Sequence, residues 1–200
     1  MTGEPVTSFY DFQLSMLHAM CASAPEQAEA LLARVGATRG EAAVAQKRWW
    51  YAGATNNFTT IAEYVAAWGP PDTERSRVEN GREARFAGWN LTFWPGLQVE
   101  WLQIQDHSAL FRNLLRLPTS PPPSPTSVAD LTPWSCTWAE FHQAPLGPTE
   151  HVDGFGDIGT VASLKATDPE TGRDRIYWAH FDWCILQSVE PAPDAYVWGQ

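Results

Sequence analysis

The spacing of the apolar residues changes at Gly69, and this change constrains the fold more than any other feature of the chain. Before Gly69, three S/T-x-x-E sequences stand just ahead of apolar runs, as helix-capping boxes do. The boxes are Ser23–Glu26, Thr38–Glu41 and Thr60–Glu63. We therefore predict a helix after each box. We also predict an earlier helix over residues 8–20, where apolar side chains form a helical stripe.

After Gly69 the apolar residues alternate with polar ones. Every second side chain is apolar in residues 89–93 and 97–101, and a Pro95-Gly96 turn separates the two runs, which is typical of an antiparallel hairpin. Further strands are predicted at residues 134–142, 160–166 and 176–186. Residues 107–117 fit either a helix or a strand, and Asp106 as an N-cap favours the helix.

These patterns together predict an α+β fold, in which an N-terminal helical layer packs on a mainly antiparallel sheet of about five strands. The proline-rich residues 118–127 are predicted to be an exposed loop, because proline cannot donate to a strand ladder. Since residues 128–200 contain only about three predicted strands, we expect the sheet to be shared across this loop. The expected organisation is a single domain, 1–200, with a helical part at 1–69 and sheet parts at 84–106 and 134–187.

The net charge of −10 and the isoelectric point near 4.8 exclude several classes of partner. An acidic molecule repels phosphate backbones and anionic lipid surfaces, so we predict neither nucleic-acid nor membrane binding. The three cysteines are widely spaced and lack C-x-x-C pairs, and acidic residues stand where a signal peptide would need basic ones. These features predict a cytoplasmic location.

The candidate site comes from alternation in two predicted strands. In residues 176–186 the odd positions are all apolar, so the even positions project to the other side. These are Trp178, His180, Asp182 and Cys184. In residues 134–142 the even positions are Trp134, Cys136, Trp138, Glu140 and His142. If the two strands are neighbours in a compatible register, these side chains form a polar site with aromatic walls.

The chemistry of such a site has several readings. His180 or His142 would act as a general base, with Asp182 or Glu140 orienting the imidazole. A cysteine beside a histidine would be a nucleophile, and the two histidines with the two carboxylates would suit a divalent metal. The simpler interpretation is a polar sheet face in contact with water. Since no H-E-x-x-H, G-x-S-x-G or Walker motif occurs, we predict no metal site and no cofactor.

Residues 154–159 match G-x-G-x-x-G as a string. A dinucleotide fingerprint needs a strand before it and a helix after it, but the residues that follow are strand-like. We therefore interpret this run as a flexible loop.

Two functions remain after these exclusions, and the sequence leaves open whether the chain is an enzyme. The first is an intracellular acidic binding protein, similar to an immunity protein or inhibitor, that docks on a basic protein partner through an acidic, tryptophan-rich surface. Its binding positions would be Trp134, Trp138, Trp178 and Cys184. The alternative is a pocketed enzyme or small-molecule-binding protein whose catalytic residues are His180, Asp182, His142 and Glu140. Convergence of those four in a deep cavity would favour the pocket, and their dispersal over a flat exposed face would favour the protein partner.

Overall fold

The computed structural model describes residues 8–54, 60–79, 81–105, 107, 109–155 and 158–199. Within these residues the chain is an α+β protein with five α-helices, one short 3₁₀ helix and two four-stranded antiparallel sheets, so the predicted fold class is confirmed. The chain divides into two compact units, Met1–Asn113 and Leu114–Gln200. No helix in the described part of the chain is both long and apolar enough to cross a membrane.

The first unit begins with four helices. They are α1 (Phe9–Met20), α2 (Pro25–Val35), α3 (Arg39–Ala54) and α4 (Ile61–Trp68). The capping boxes at Thr38 and Thr60 are confirmed, since each glutamate side chain accepts the threonine N–H and each hydroxyl accepts the glutamate N–H. The box at Ser23 is wrong. The N-cap of α2 is Ala24, because Pro25 is favourable at the first helical position and fixes the helix start one residue later.

A meander of four strands follows these helices. The strands are β1 (Thr73–Glu79), β2 (Arg82–Asn90), β3 (Leu97–Ile104) and β4 (Leu110–Arg116), paired in that order. The hairpin predicted around Pro95-Gly96 is confirmed as β2 and β3. The helix favoured for residues 107–117 is wrong, because residues 110–116 form β4 along the edge of β3 and tertiary pairing overrides local propensity.

The core of the first unit is aromatic. Trp101 lies at the centre, with its ring 4.4 Å from Tyr64, 6.1 Å from Trp49 and 6.2 Å from Trp68. These rings come from two helices and a central strand, so they hold the helical layer on the sheet. Most of the tryptophans in this unit therefore serve packing.

The second unit contains shorter helices and a second meander. Its elements are a 3₁₀ helix at Val128–Asp130, α5 (Trp138–Gln143), β5 (Thr149–Phe155), β6 (Ile158–Thr167), β7 (Asp174–Asp182) and β8 (Ile185–Pro191). The expectation of one sheet shared across the proline-rich loop is wrong, since β1–β4 precede the loop and β5–β8 follow it. Strands β1, β4 and β5, which alternation did not reveal, complete the two sheets. Residues 118–127 contain no helix or strand and are mostly exposed. The single domain over 1–200 stays a prediction.

The strand predicted at residues 134–142 is wrong. Residues 134–137 run beside the start of β8 and make one bridge, from Thr137 to Ile185, before the chain enters α5. Helix α5 starts there because Thr137 and Glu140 form a capping box, the same signal that marks α3 and α4. The capping box at Thr137, on which the strand prediction did not draw, therefore determines that this segment is helical.

The strand predicted at residues 176–186 is correct up to Asp182 and then turns. Trp183 and Cys184 both have positive φ, 49° and 58°, and form a two-residue connection between β7 and β8. Asp182 then pairs with Ile185 on the returning strand. Alternation across the turn is lost, so Cys184 does not continue the face of Trp178, His180 and Asp182.

Candidate docking face

The second sheet has two chemically different sides. Tyr177, Ala179 and Phe181 of β7 are buried, and the ring of Phe181 lies 5.3 Å from Phe141 and 5.1 Å from Trp138 of α5. This is the inner side, which faces the core. Because side chains alternate along a strand, Trp178, His180 and Asp182 project from the opposite side, where they are only half-buried.

We call this opposite side the outer face and define it by its cross-strand row. Glu150 of β5 pairs with Ser163 of β6, Ser163 pairs with Trp178 of β7, and Trp178 pairs with Glu190 of β8. Directly paired residues share one side of a sheet, so this row runs across all four strands. His180 and Asp182 lie beside it on β7. The row on the outer face therefore has a carboxylate at each end and a half-buried tryptophan between them.

His180 is held against the end of this row. Its Nε2 lies 3.1 Å from Oε1 of Glu190, and its ring lies 6.4 Å from that of Trp178. The Glu190 side chain is 61% exposed, so the contact is an exposed one and an ion pair only when the imidazole is protonated. Neither group is enclosed as a catalytic pair usually is.

Glu140 does not reach the outer face. It accepts hydrogen bonds from the guanidinium of Arg116 and from the backbone N–H of Thr137 at the start of α5. Burial acts to raise the pKa of Glu140, but the bonds from Arg116 and Thr137 outweigh it and lower the pKa. This carboxylate is occupied in capping a helix and neutralising an arginine.

His142 lies on the inner side. Its ring packs 4.4 Å from Trp138, and its Nδ1 contacts the hydroxyl of Thr149. Burial lowers the pKa of His142, and the nearby His151 lowers it further, so the imidazole is neutral near pH 7. His142 and His180 are therefore separated by the sheet.

The remaining predicted residues lie around the β7–β8 turn. The indole Nε1 of Trp134 donates to Oε1 of Gln187, and the backbone N–H of Trp138 donates to the carbonyl of Cys184. Cys136 is buried, which raises the pKa of its thiol to about 11. A thiol that stays protonated at neutral pH is a poor nucleophile. These residues fix the backbone near the turn.

Within the described residues, no group of three or more histidine, cysteine, aspartate or glutamate side chains is arranged to hold a metal ion. In the G-x-G-x-x-G run, Gly156 and Asp157 lie outside the described residues. The flanking residues belong to β5 and β6, so a strand rather than a helix follows the run. The geometry that would place a pyrophosphate at a helix N-terminus is not formed there.

Two open grooves accompany these features. One of about 510 Å³ is lined by α1 and α3 in the first unit, including Tyr10, Val44 and Arg48. The other, of about 340 Å³, lies in the second unit between Pro122–Thr126 and α5. Glu140 lines the smaller groove, whereas His142, His180 and Asp182 line neither. The four residues of the enzyme alternative therefore do not converge in one cavity: His180 and Asp182 share the outer face, whereas His142 and Glu140 do not reach it.

Sequence reasoning found one strand of the outer face and missed the rest. Alternation identified Trp178, His180 and Asp182, but Glu150 lies on a strand that was not predicted, and Glu190 lies beyond the predicted strand end. Alternation within β6 would have placed Ser163 opposite Ala162 and Leu164, but pairing it with Trp178 requires the register of the sheet.

No family model matches the chain, and no curated protein matches its sequence. A solved structure from Streptococcus mutans named "putative beta-lactamase inhibitor protein" is 9% identical, with 67% of this chain and 82% of that chain covered and a TM-score of 0.26. A likeness at that TM-score carries no weight for fold or function, so the function has to be argued from the outer face itself.

Proposed function

We propose that this chain is a protein-binding protein, acting as an immunity protein or inhibitor does, that docks on a basic protein partner through the outer face of its second sheet. The observation that carries the proposal is the row in which Trp178 and Ser163 lie between Glu150 and Glu190. A rigid aromatic centre with charged flanks matches the anatomy of binding hot spots.

The charge of the second unit supports a cationic partner. Residues 114–200 contain eleven carboxylates and four basic side chains. Two of those basic side chains are already paired, Arg116 with Glu140 and Arg175 with Asp168. The resulting negative field attracts cationic surfaces and raises their association rate.

The failure of the enzyme candidates to converge supports the same proposal. A general base and its orienting carboxylate must be within hydrogen-bond reach, but His142 contacts Thr149 and Glu140 contacts Arg116. All three cysteines are free and buried, which fits a reducing compartment. We therefore place the interaction in the cytoplasm, with a protein rather than a small molecule as the partner.

The proposal is tested with a fluorescein-labelled decapeptide in which arginine and serine alternate, since its extended chain presents every arginine on one side. Its affinity is measured by fluorescence anisotropy for the wild-type chain, for Glu190→Gln and for Glu170→Gln. The last variant makes the same charge change in the exposed β6–β7 hairpin. We expect Glu190→Gln to weaken binding about threefold, as for an exposed ion pair, and Glu170→Gln to change it less.

The position of binding is read from the tryptophan indole N–H resonances of the ¹⁵N-labelled chain. The Trp178 resonance should shift on adding the peptide, and the Trp101 resonance from the first core should not. Equal losses of affinity in both variants, or a Trp178 resonance that stays in place, would show that the peptide senses only net charge and would refute docking on the outer face.

A further inference from the structure

We infer that the docking face continues beneath residues 193–199 and that this segment, here called the strap, competes with the basic partner for it. The inference rests on the proposed function and adds how the site is regulated. It starts from an anomaly on the outer face: Ser163 is 0% exposed although it projects away from the core of the second unit.

The strap covers the middle of the row. The phenol oxygen of Tyr196 lies 3.1 Å from the Ser163 hydroxyl, and the Tyr196 ring meets the Trp178 ring edge-on at 5.6 Å. Further along, the backbone N–H of Gly199 donates to Oε2 of Glu150 at 3.1 Å. Three of the four residues in the row therefore contact the strap.

These contacts leave the row incompletely satisfied. The indole Nε1 of Trp178 is buried and makes no hydrogen bond within the described residues. Glu150 receives a neutral amide where a cation would bind more strongly, because charge-assisted hydrogen bonds are the stronger kind. The strap itself carries no basic side chain, and Val197 is 52% exposed. A cationic partner would thus gain contacts that the strap does not supply.

The geometry of the row indicates what that partner presents. Glu150 and Glu190 lie three strand spacings apart, which is about 14 Å. Four residues of extended chain span about 13 Å, so basic side chains at positions i and i+4 would reach both glutamates. A basic side chain at i+2 would then lie over Ser163 and Trp178, where a guanidinium stacks well on an indole. The partner class is an extended segment with basic residues at alternate positions.

The test loosens the strap in the full chain. Tyr196→Ala removes the ring and the hydroxyl that hold the strap, whereas Val197→Ala changes an exposed neighbour and is the matched control. We expect Tyr196→Ala to bind the alternating arginine decapeptide about fivefold more tightly and Val197→Ala to bind as the wild type does. Tyr196→Phe loses only the hydroxyl contact to Ser163, so its affinity for the peptide should lie between those of the wild type and Tyr196→Ala.

A second readout follows the strap itself. In the wild-type chain, saturating peptide should move the Gly199 amide resonance to its position in an unstructured chain. If the peptide binds in a Glu190-dependent way while Tyr196→Ala gains nothing and Gly199 keeps its shift, the strap inference is wrong and the proposed function stands. If Glu190→Gln weakens peptide binding no more than Glu170→Gln does, in the wild-type chain and in Tyr196→Ala alike, both the strap inference and the proposed function are wrong.

Discussion

The two units follow one plan and use their tryptophans differently. In each unit, helices precede an antiparallel meander whose strands pair in sequence order. In the first, tryptophan rings pack against one another, as Trp49 and Trp101 do with Trp68. In the second, the core consists mainly of Phe, Leu and Ala, while Trp138 lies at its margin and Trp178 on the outer face. The second core therefore closes mainly around smaller side chains, and of these two rings only that of Trp178 is left on the outer face.

The largest expected effect contrasts Trp101 with Trp178, whose buried indole N–H groups both make no hydrogen bond to any residue that the structure describes. Trp101→Ala removes a side chain that is 5% exposed, and we expect a loss of about 3–5 kcal/mol in the free energy of unfolding. Trp178→Ala removes a half-buried ring and should cost about 1–2 kcal/mol. Urea unfolding of both variants measures the difference, with Trp101→Phe as the control that keeps a ring. Equal losses would break the comparison, since Trp178 would then be a core residue.

The next effect compares backbone and side-chain crowding at two glycines. A Cβ on Gly154 would lie 2.0 Å from the carbonyl oxygen of Gly159, and Gly154 has φ +87°. The atoms nearest to a Cβ on Gly88 are the side-chain ends of Gln98 and Thr73, at 2.3 and 2.4 Å. We expect Gly154→Ala to cost about 3 kcal/mol and Gly88→Ala about 1 kcal/mol, because side chains can move aside.

Gly172 provides the matched control for that pair. It has φ +67° with no atom within 4 Å of an added Cβ, so Gly172→Ala isolates the backbone strain at about 1 kcal/mol. Thermal unfolding monitored by circular dichroism ranks the three variants. If Gly172→Ala lowers the stability as much as Gly154→Ala does, the loss at Gly154 comes from the positive φ and not from crowding at the β5–β6 hairpin.

The smallest effect tests whether helix capping works alike in both units. Thr60→Ala removes the capping hydroxyl of α4, and Thr137→Ala removes that of α5. Each should lower the free energy of unfolding by about 1 kcal/mol, and serine at either position should restore most of it. Urea midpoints give the comparison. A much larger loss at Thr137 would show that α5 organises the second unit beyond its own first turn.

Local signals in the sequence predicted a good part of the fold. Capping boxes predicted α3 and α4, and alternation predicted the β2–β3 hairpin and the side of β7 that carries Trp178. The box at Thr137 is equally legible, but the even positions of residues 134–142 also fit the alternation of a strand, and that pattern predicts the wrong element. Strand β1 was not predicted because residues 73–78 are exposed on both sides of the strand, so apolar and polar side chains do not alternate along it.

The candidate site was less predictable, because the register between paired strands determines which side chains lie together in it. Glu150, Ser163 and Glu190 join Trp178 in one row only through pairing between strands, and no local pattern encodes which residue opposes which. The contact of Tyr196 with Ser163 spans 33 residues. Alternation can assign a side of a sheet, whereas the neighbours on that side depend on turn lengths and bulges such as the one between His180 and Phe181.

The turn at Trp183 and Cys184 has a consequence for anyone redesigning this chain. A left-handed backbone costs a residue with a side chain about 1–2 kcal/mol, so asparagine and glycine would suit these two positions better. Yet a buried tryptophan removes about 150–250 Å² from water, worth about 4–6 kcal/mol, and Trp183 is buried. A design that optimised the hairpin alone would make a better turn and a less stable protein.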